Sequence, residues 1–587
     1  MKERLLHVGA VRPGLVLGML MVILVPARKG SAIGYWSPVS QGAPGSVNLM
    51  LLLPDGTVMA ANNPVGICAC SAGKDWYRLT PDNLGSYANG TWTRRSSMND
   101  SRDAYASVVL RDGRVFVAGG EYGTGRATAE IYDPVADSWS RVSPPTSLLD
   151  PGQFSPQPQL IPQRQGFADA CSVILPNGNV LISPVFPNTI NGTLVFNPDA
   201  NSWAAGPPTG KWQAEATWVK LPDGSILTVD PDRKLTERFI PSLNLWTTDV
   251  LPVSLWANLS PVAVGEIGPA LLLADGRAFF IGGSGHTALY TPPSGSTPGS
   301  WVAGPDILGG LVAADAPGAM MVNGKVLCAG APPPSVSGSD VDFLAPTSFF
   351  EYDPTDGPIG GFTQVSSPTG GMTDNIPSYK AAMLALPDGT ILYSDEWWQL
   401  YVYHPDGSPL TKGKPSVTSV TRNADGSLHL TGTLFNGISQ GASYGDDAQM
   451  DSNYPLVRLT DDQTGQVRYA RTFNWSSTDV QTGMTPVTTE AALPATLLPG
   501  VYSLAVVANG ISSDPIIFHE PVWVDFNSME TFQFGSFFYP WHTLALGVTA
   551  VAPGEEIRIK SGASSETMII SKPMTITAFG GPATIGQ

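Results

Sequence analysis

The sequence predicts an all-β protein: a seven-bladed β-propeller, then an immunoglobulin-like β-sandwich, then the start of a parallel β-helix. Three observations carry that reading. Composition comes first, since 587 residues with 14% charged, 63 Gly and 53 Pro are the mixture that many short strands and turns require. Second, one hairpin grammar returns seven times. Third, that grammar stops at Pro415 and the strand pattern then changes twice.

The repeat is an apolar strand, an Asp/Asn-Gly turn and a second apolar strand, the strongest short-range signal for a hairpin. It reads "LLLPDGTVMAA" (51–61), "VVLRDGRVFVAGG" (108–120), "VILPNGNVLIS" (173–183), "VKLPDGSILTV" (219–229), "LLLADGRAFFIGG" (271–283), "AMMVNGKVLCAG" (319–330) and "LALPDGTILYS" (384–394). The turn glycines Gly56, Gly113, Gly178, Gly224, Gly276, Gly324 and Gly389 are spaced by 46 to 65 residues. An all-strand period near that length is the signature of one four-stranded blade per repeat. The second half of each unit agrees, with an aromatic, a turn and another aromatic, as in "AEIYDPVADSW" (129–139) and "LVFNPDANSW" (194–203). These are kelch-like repeats, in which the aromatics are expected to pack between blades.

The domain reading follows the same punctuation. Residues 1–32 have the form of a secretory signal, with Lys2 and Arg4 ahead of the apolar run "GLVLGMLMVILV". The propeller is assigned to 33–415. Residues 416–520 alternate as one small sandwich, and 521–587 pass from a short helical pattern to tightly spaced strands, the cap and first coils of a β-helix that stops short of a full solenoid. The leader holds five Lys/Arg and one Glu, so its removal takes the net charge from −17 to −21. That charge argues against nucleic-acid binding through a basic face. No other segment is expected to span a membrane. Four cysteines are too few for a disulfide framework. Cys171 and Cys328 read as buried apolar residues, and Cys68 and Cys70 as a loop disulfide or free thiols.

Seven kelch repeats followed by such a sandwich resemble the galactose oxidase and glyoxal oxidase family of copper radical oxidases, with a local echo in "YGDDAQMDSNYPLVRL" (444–459). In that family a Cys crosslinked to a Tyr forms a redox cofactor beside copper, and a second Tyr and two His complete the coordination. The resemblance places the Cys position at Val47 and the first Tyr position at Ala104, with Tyr105 one residue away on the opposite face. The family's Tyr-His pair falls on Tyr379 and Lys380, and a protonated ammonium has no lone pair for a metal. The last His belongs to a sandwich loop that enters the propeller axis. Its equivalent here, "QGASYGDDAQMDSNYP" (440–455) around Tyr444, has no His.

The reading is therefore a secreted or cell-surface, non-catalytic module that binds or presents a glycan or protein, with no cofactor. Its alternatives are a copper radical oxidase with displaced ligands, and a structural domain of a long extracellular protein. Lys380 is expected to be held by Asp446, Asp447 or Asp451 as an axial polar plug, the same acids being a weak Ca²⁺ candidate. "EWW" (396–398), Trp212, Trp256 and Tyr122 suit sugar stacking, against a competing expectation that they pack between blades. His286 is expected to be a hydrogen-bonded loop residue.

Overall fold

Each Asp/Asn-Gly pair makes the same turn for the same two reasons. The glycine lies at positive φ at all seven positions, between +75° at Gly56 and +94° at Gly276, where a Cβ is disfavoured. The residue before it accepts, through its side-chain oxygen, the backbone N–H two positions on. This holds for Asp55, Asp112, Asn177, Asp223, Asp275, Asn323 and Asp388, at 3.0–3.2 Å. Side chain and backbone thus close one Asx-type turn seven times.

The computed structural model describes residues 33–586 apart from 63–71, 146, 150–165, 168–169, 184–191, 210–212, 214–215, 230–233, 258, 260–264, 295–297, 339 and 443–448. The leader, Cys68, Cys70, Trp212, Tyr444, Asp446 and Asp447 lie outside the described residues. Seven antiparallel sheets make seven blades of four strands each, the fifth extended by two axial strands and the sixth by one short strand, Thr373–Asp374. Their innermost strands are Val47–Leu52, Ala106–Val109, Cys171–Ile174, Trp218–Lys220, Ala270–Leu272, Gly318–Met320 and Ala382–Ala385. The ring is closed by the first strand of the chain, since Tyr35–Pro38 pairs antiparallel with Tyr401–His404 as the outer strand of the seventh blade.

The outer-strand tryptophans explain how the blades are held in sequence. Trp92, Trp139, Trp203, Trp246 and Trp36 each donate the indole N–H to a carbonyl just past the outer strand of the preceding blade, at Gln41, Ser96, Val142, Pro207 and Ser366. Rings also meet across seams, with Trp76 and Trp139 5.6 Å apart between the first two blades and Phe279 stacked on Tyr352 at 3.9 Å between the fifth and sixth. A buried ring keeps its apolar body in the seam while its N–H finds a partner. Cys171 and Cys328 are buried inside this packing, with the Cys171 thiol donating to Ala216 O at 2.8 Å.

Beyond the propeller, eight antiparallel strands between Ser416 and Glu520 enclose a separate core that includes Leu430, Val457, Leu459 and Leu504. This unit covers the face of the propeller that carries the hairpin turns. A Cβ on Gly56 would lie 2.5 Å from the Tyr469 ring, and one on Gly113 would lie 3.2 Å from Arg471. Tyr454 donates to the Leu52 carbonyl and stacks on Trp475 at 4.5 Å. Gln481 donates to Leu273 and Thr478 to Leu175. From this unit a hairpin, Gly441–Ala442 and Gln449–Asp451, enters the axis and pairs with Ala270 and Leu271 of the fifth blade.

The junction contains one fully buried cation. Lys220, at the end of an inner strand, donates through Nζ to Ile174 O at 2.7 Å and Thr478 O at 2.6 Å. Burial pushes its pKa down to about 8, with Asp479 opposing. Beside it is a cavity of about 10 Å³ lined by Gln440, Asn453, Tyr454, Trp475 and Thr478. That is room for about one water.

From Val522 onward the strands run parallel. Val522–Val524, Glu556–Ser564 and Thr575–Ile585 stack in register, with Val522 on Ile557 on Ile576. The helix Leu544–Ala550 packs Leu544 and Gly547 against Val524, and Glu566 accepts the N–H groups of Leu544 and Ala545 at its N-terminus. Among the described residues no helix is long and apolar enough to cross a membrane.

Two outcomes follow from this packing. Trp36→Ala removes the seventh-blade latch and its contacts with Phe349, Tyr393 and Tyr403, and should cost toward the lower end of ~3–5 kcal/mol, read by chemical unfolding. Lys220→Met should cost about 1–3 kcal/mol per carbonyl left without a donor and speed proteolysis between the propeller and the unit that follows it. Because the folded lysine titrates below the unfolded one, wild-type stability should rise from pH 8 toward 10. The Met variant should lack that rise.

Candidate functional site

The opposite face of the propeller, away from the hairpin turns, is where strand ends bring chemistry together. Ser378–Lys380 forms one 3₁₀ turn just before the inner strand of the seventh blade. Ser378 is buried and donates to Ala314 O at 2.8 Å, which fixes the turn to the sixth blade. Tyr379 is 40% exposed, with its ring edge-on to Phe343 at 5.4 Å. Lys380 Nζ lies 3.4 Å from Glu396 Oε2 and 5.8 Å from the Tyr379 ring.

Glu396 opens the return side of the same hairpin at φ +60°, directly after the strand Ile391–Ser394. Trp397 and Trp398 follow, each about half exposed. Trp398 is held from behind, since its carbonyl accepts Ala43 N–H at 2.7 Å and its ring fills the space a Cβ on Gly42 would need. Asp395, next to Glu396 in the chain, feels the charge of a second carboxylate, Asp374. Burial, then the charge of Asp374, pushes Asp395 up to about 6, while Lys380 works weakly in the other direction. Asp374 is itself buried and fixed by Thr369 at 3.1 Å, Asn375 N–H at 3.0 Å and Tyr393 at 3.3 Å. Burial also raises the Tyr379 phenol, although Lys380 opposes it.

Of the positions where the resemblance places copper ligands, Tyr379 keeps a tyrosine and the others hold other chemistry. Val47 is fully buried in the inner strand of the first blade, its carbonyl accepting from Ser394 Oγ. Ala104 sits at φ +53° just before the inner strand of the second blade. Tyr105 belongs to the core between the first two blades, packed with Val109, Val115 and Trp475. Asp451 lies in the axial hairpin, whose backbone runs beside the inner strands of the first, sixth and seventh blades. Its side chain lies outside the described residues, as do Tyr444, Asp446 and Asp447. The partner that is described for Lys380 is Glu396, an acid missed by the sequence reading.

His286 pairs with exposed Asp306 at 2.7 Å. His404 stacks on Tyr35 and meets Ser37, while His429 and His519 pair with Glu490 and Glu555. Among the described residues, no group of three or more His, Cys, Asp or Glu side chains could hold a metal. Two aliphatic side chains and an ion-paired ammonium do not make a copper site. Trp256 is buried, as inter-blade packing expects, and Tyr122 is half-buried beside Asp103.

A kelch motif matches residues 104–146, within the second blade. No curated protein matches the chain. Similar solved structures include a fungal alcohol oxidase of the AA5 family in complex with copper, 15% identical, covering 83% of this chain and 99% of that one at a TM-score of 0.47. Virginiamycin B lyase from Staphylococcus aureus is 11% identical over 64% of this chain and 100% of that one, at a TM-score of 0.40. Its catalytically inactive variant with quinupristin gives the same identity and coverage at 0.39. The chain carries a kelch motif and is built as a seven-bladed propeller.

The Asp395 environment gives a pH test. A carboxyl whose folded pKa is raised contributes stability below its unfolded value and loses it as pH climbs through the folded one. Between about pH 4 and 6 this group should therefore lower stability as pH rises. Asp395→Asn should flatten that part of the curve, measured as the urea midpoint at pH 4 and 6.5. An unchanged slope would remove Asp374 and burial as the cause.

Proposed function

We propose that this chain is an extracellular, non-catalytic propeller that binds a glycan on the face formed by Tyr379, Lys380, Asp395, Glu396 and Trp397. The observation that carries the reading is the exchange of chemistry at one place. Where the resembling family would present copper donors, this chain presents an ammonium–carboxylate pair flanked by half-exposed aromatic rings. Flat rings suit the apolar faces of sugars, and fixed charges beside them supply donors and acceptors for hydroxyls. On this reading there is no resident cofactor, 1–32 directs secretion, and 416–520 is an early-set immunoglobulin-like domain whose axial hairpin completes the floor.

The test is a glycan screen followed by titration calorimetry on the best binder. Trp397→Ala should weaken binding about tenfold, roughly 1.4 kcal/mol, with the melting temperature unchanged. Glu396→Gln should weaken it through Lys380. Copper at one per chain, with peroxide released from alcohols or aldehydes, would overturn the proposal in favour of an oxidase with displaced ligands.

A further inference from the structure

Asn-X-Ser/Thr triplets occur among the described residues at Asn89-Gly90-Thr91, Asn99-Asp100-Ser101 and Asn474-Trp475-Ser476, while those at Asn191 and Asn258 lie outside them. The triplet is the acceptor pattern for N-linked glycans in a secreted chain. A sugar is attached through the amide nitrogen, and the hydroxyl two positions on is read with it. What the fold does with those two groups therefore separates the three sites.

Asn99 is committed to the core of the second blade. Its Nδ2 donates to Glu130 Oε2 at 2.6 Å, and the fully buried Glu130 also takes the N–H groups of Asn99 and Asp100 and pairs with Arg102. A sugar on that nitrogen would crowd a buried ion pair. Asn474 is exposed at φ +53°, but the Trp475 that follows is buried against Tyr454, and Ser476 Oγ accepts Thr488 N–H at 2.8 Å. Asn89 differs on both counts. It is exposed, its Nδ2 has a 3.5 Å contact with Ser86 Oγ, and Thr91 is exposed at the start of the outer strand Thr91–Arg95.

The loop 81–90 that carries Asn89 is rigid and well placed. Asp82 accepts the N–H groups of Leu84 and Ser86 at 2.9 Å, Ala88 O accepts Ser40 N–H at 2.7 Å, and buried Tyr87 donates to Gly56 O. The same loop reaches the unit after the propeller, where Asn83 O accepts Val467 N–H at 2.9 Å and a Cβ on Gly85 would lie 3.3 Å from Val467.

We propose that Asn89 is an N-glycosylation site whose glycan shields the seam between the first blade and the unit that follows the propeller. The inference rests on the secretion proposed above. The donor is an oligosaccharide on a lipid pyrophosphate. A bond forms between Asn89 Nδ2 and the sugar C1, the C1–oxygen bond breaks, the lipid pyrophosphate leaves with that electron pair, and Nδ2 gives up a proton. Transfer meets the chain as it folds, so the fold acts as a filter. A bulky polar group at Asn89 displaces no native contact, whereas at Asn99 it competes with Glu130.

Peptide mass spectrometry of the chain taken from the medium of the cells that make it should show a glycan at Asn89 and bare Asn99 and Asn474. Thr91→Ala removes the triplet and keeps Asn89. It should lose one glycan's mass, stay folded by its melting curve, and be cut at least about threefold faster by protease between the two units. Thr91→Ser should keep the glycan and the wild-type rate. A chain in the medium, freed of residues 1–32 and bare at Asn89, would overturn the inference and leave secretion standing. A chain held inside the cell with 1–32 attached would sink both. Equal occupancy at Asn99 or Asn474 would overturn the filter, and Thr91→Ala cut at the wild-type rate would overturn the shield.

Discussion

The turn between the first two strands of each blade is the constraint on which the rest of the molecule depends. It must reverse the chain in three residues, as in Pro54-Asp55-Gly56 between the paired Leu53 and Thr57, so it needs a residue at positive φ and an acceptor for the N–H that follows. Asp/Asn-Gly supplies both. The same glycines leave one face of the ring nearly free of side chains. At Gly56, Gly113 and Gly389 the neighbours of an added Cβ include Tyr469, Arg471 and the Gly510 carbonyl. The second unit can approach this closely only because the turns are bare. That unit covers one face, so the strand ends of the opposite face are left for binding.

The indole latches solve a different problem. Adjacent blades are joined covalently by a single segment, and a ring of seven must also close between its last blade and its first. Hydrogen bonds from Trp36 to the exit of the sixth blade and from Trp92 to the exit of the seventh repeat the links made inside the ring. The closure is thus chemically the same as an ordinary seam, with the N-terminal strand as its carrier. The fifth and sixth blades depart from the scheme. Trp301 Nε1 is buried with no hydrogen-bond partner among the described residues, and the sixth blade uses Phe362, which has no ring N–H to give.

The repeat was legible because its signal is local: a turn pair, two apolar runs and an aromatic within a few residues of one another. The seven blades and their order followed from it. The site was legible only in part. Lys380 was visible as a departure from a His position, but Glu396 was not named, although hairpin register would have found it. Ala382 pairs with Ser394, and two further steps outward on each side reach Lys380 and Glu396. One more reaches Tyr379 and Trp397. Lys220 could not be read at all, because its two acceptors come from Ile174 in another blade and Thr478 in another unit.

The exchange at Lys380 also shows why this face is better suited to binding than to stabilising the fold. Both partners of its ion pair keep access to water, with side chains 32% and 21% exposed. Such pairs contribute only about 0–1 kcal/mol, so a pair kept for stability alone would gain little there. The surroundings raise what the pair does to orientation. Ser378 anchors the turn below it, Trp398 is locked against Gly42, and burial, together with the charge of Asp374, raises Asp395. A carboxyl near neutrality, a carboxylate and an ammonium are therefore presented together on rigid strand ends beside open aromatic rings. Preorganised groups of that kind lose little entropy when they meet a polar ligand. Rigidity is set by the blades, and recognition by the two residues beyond each end of one hairpin.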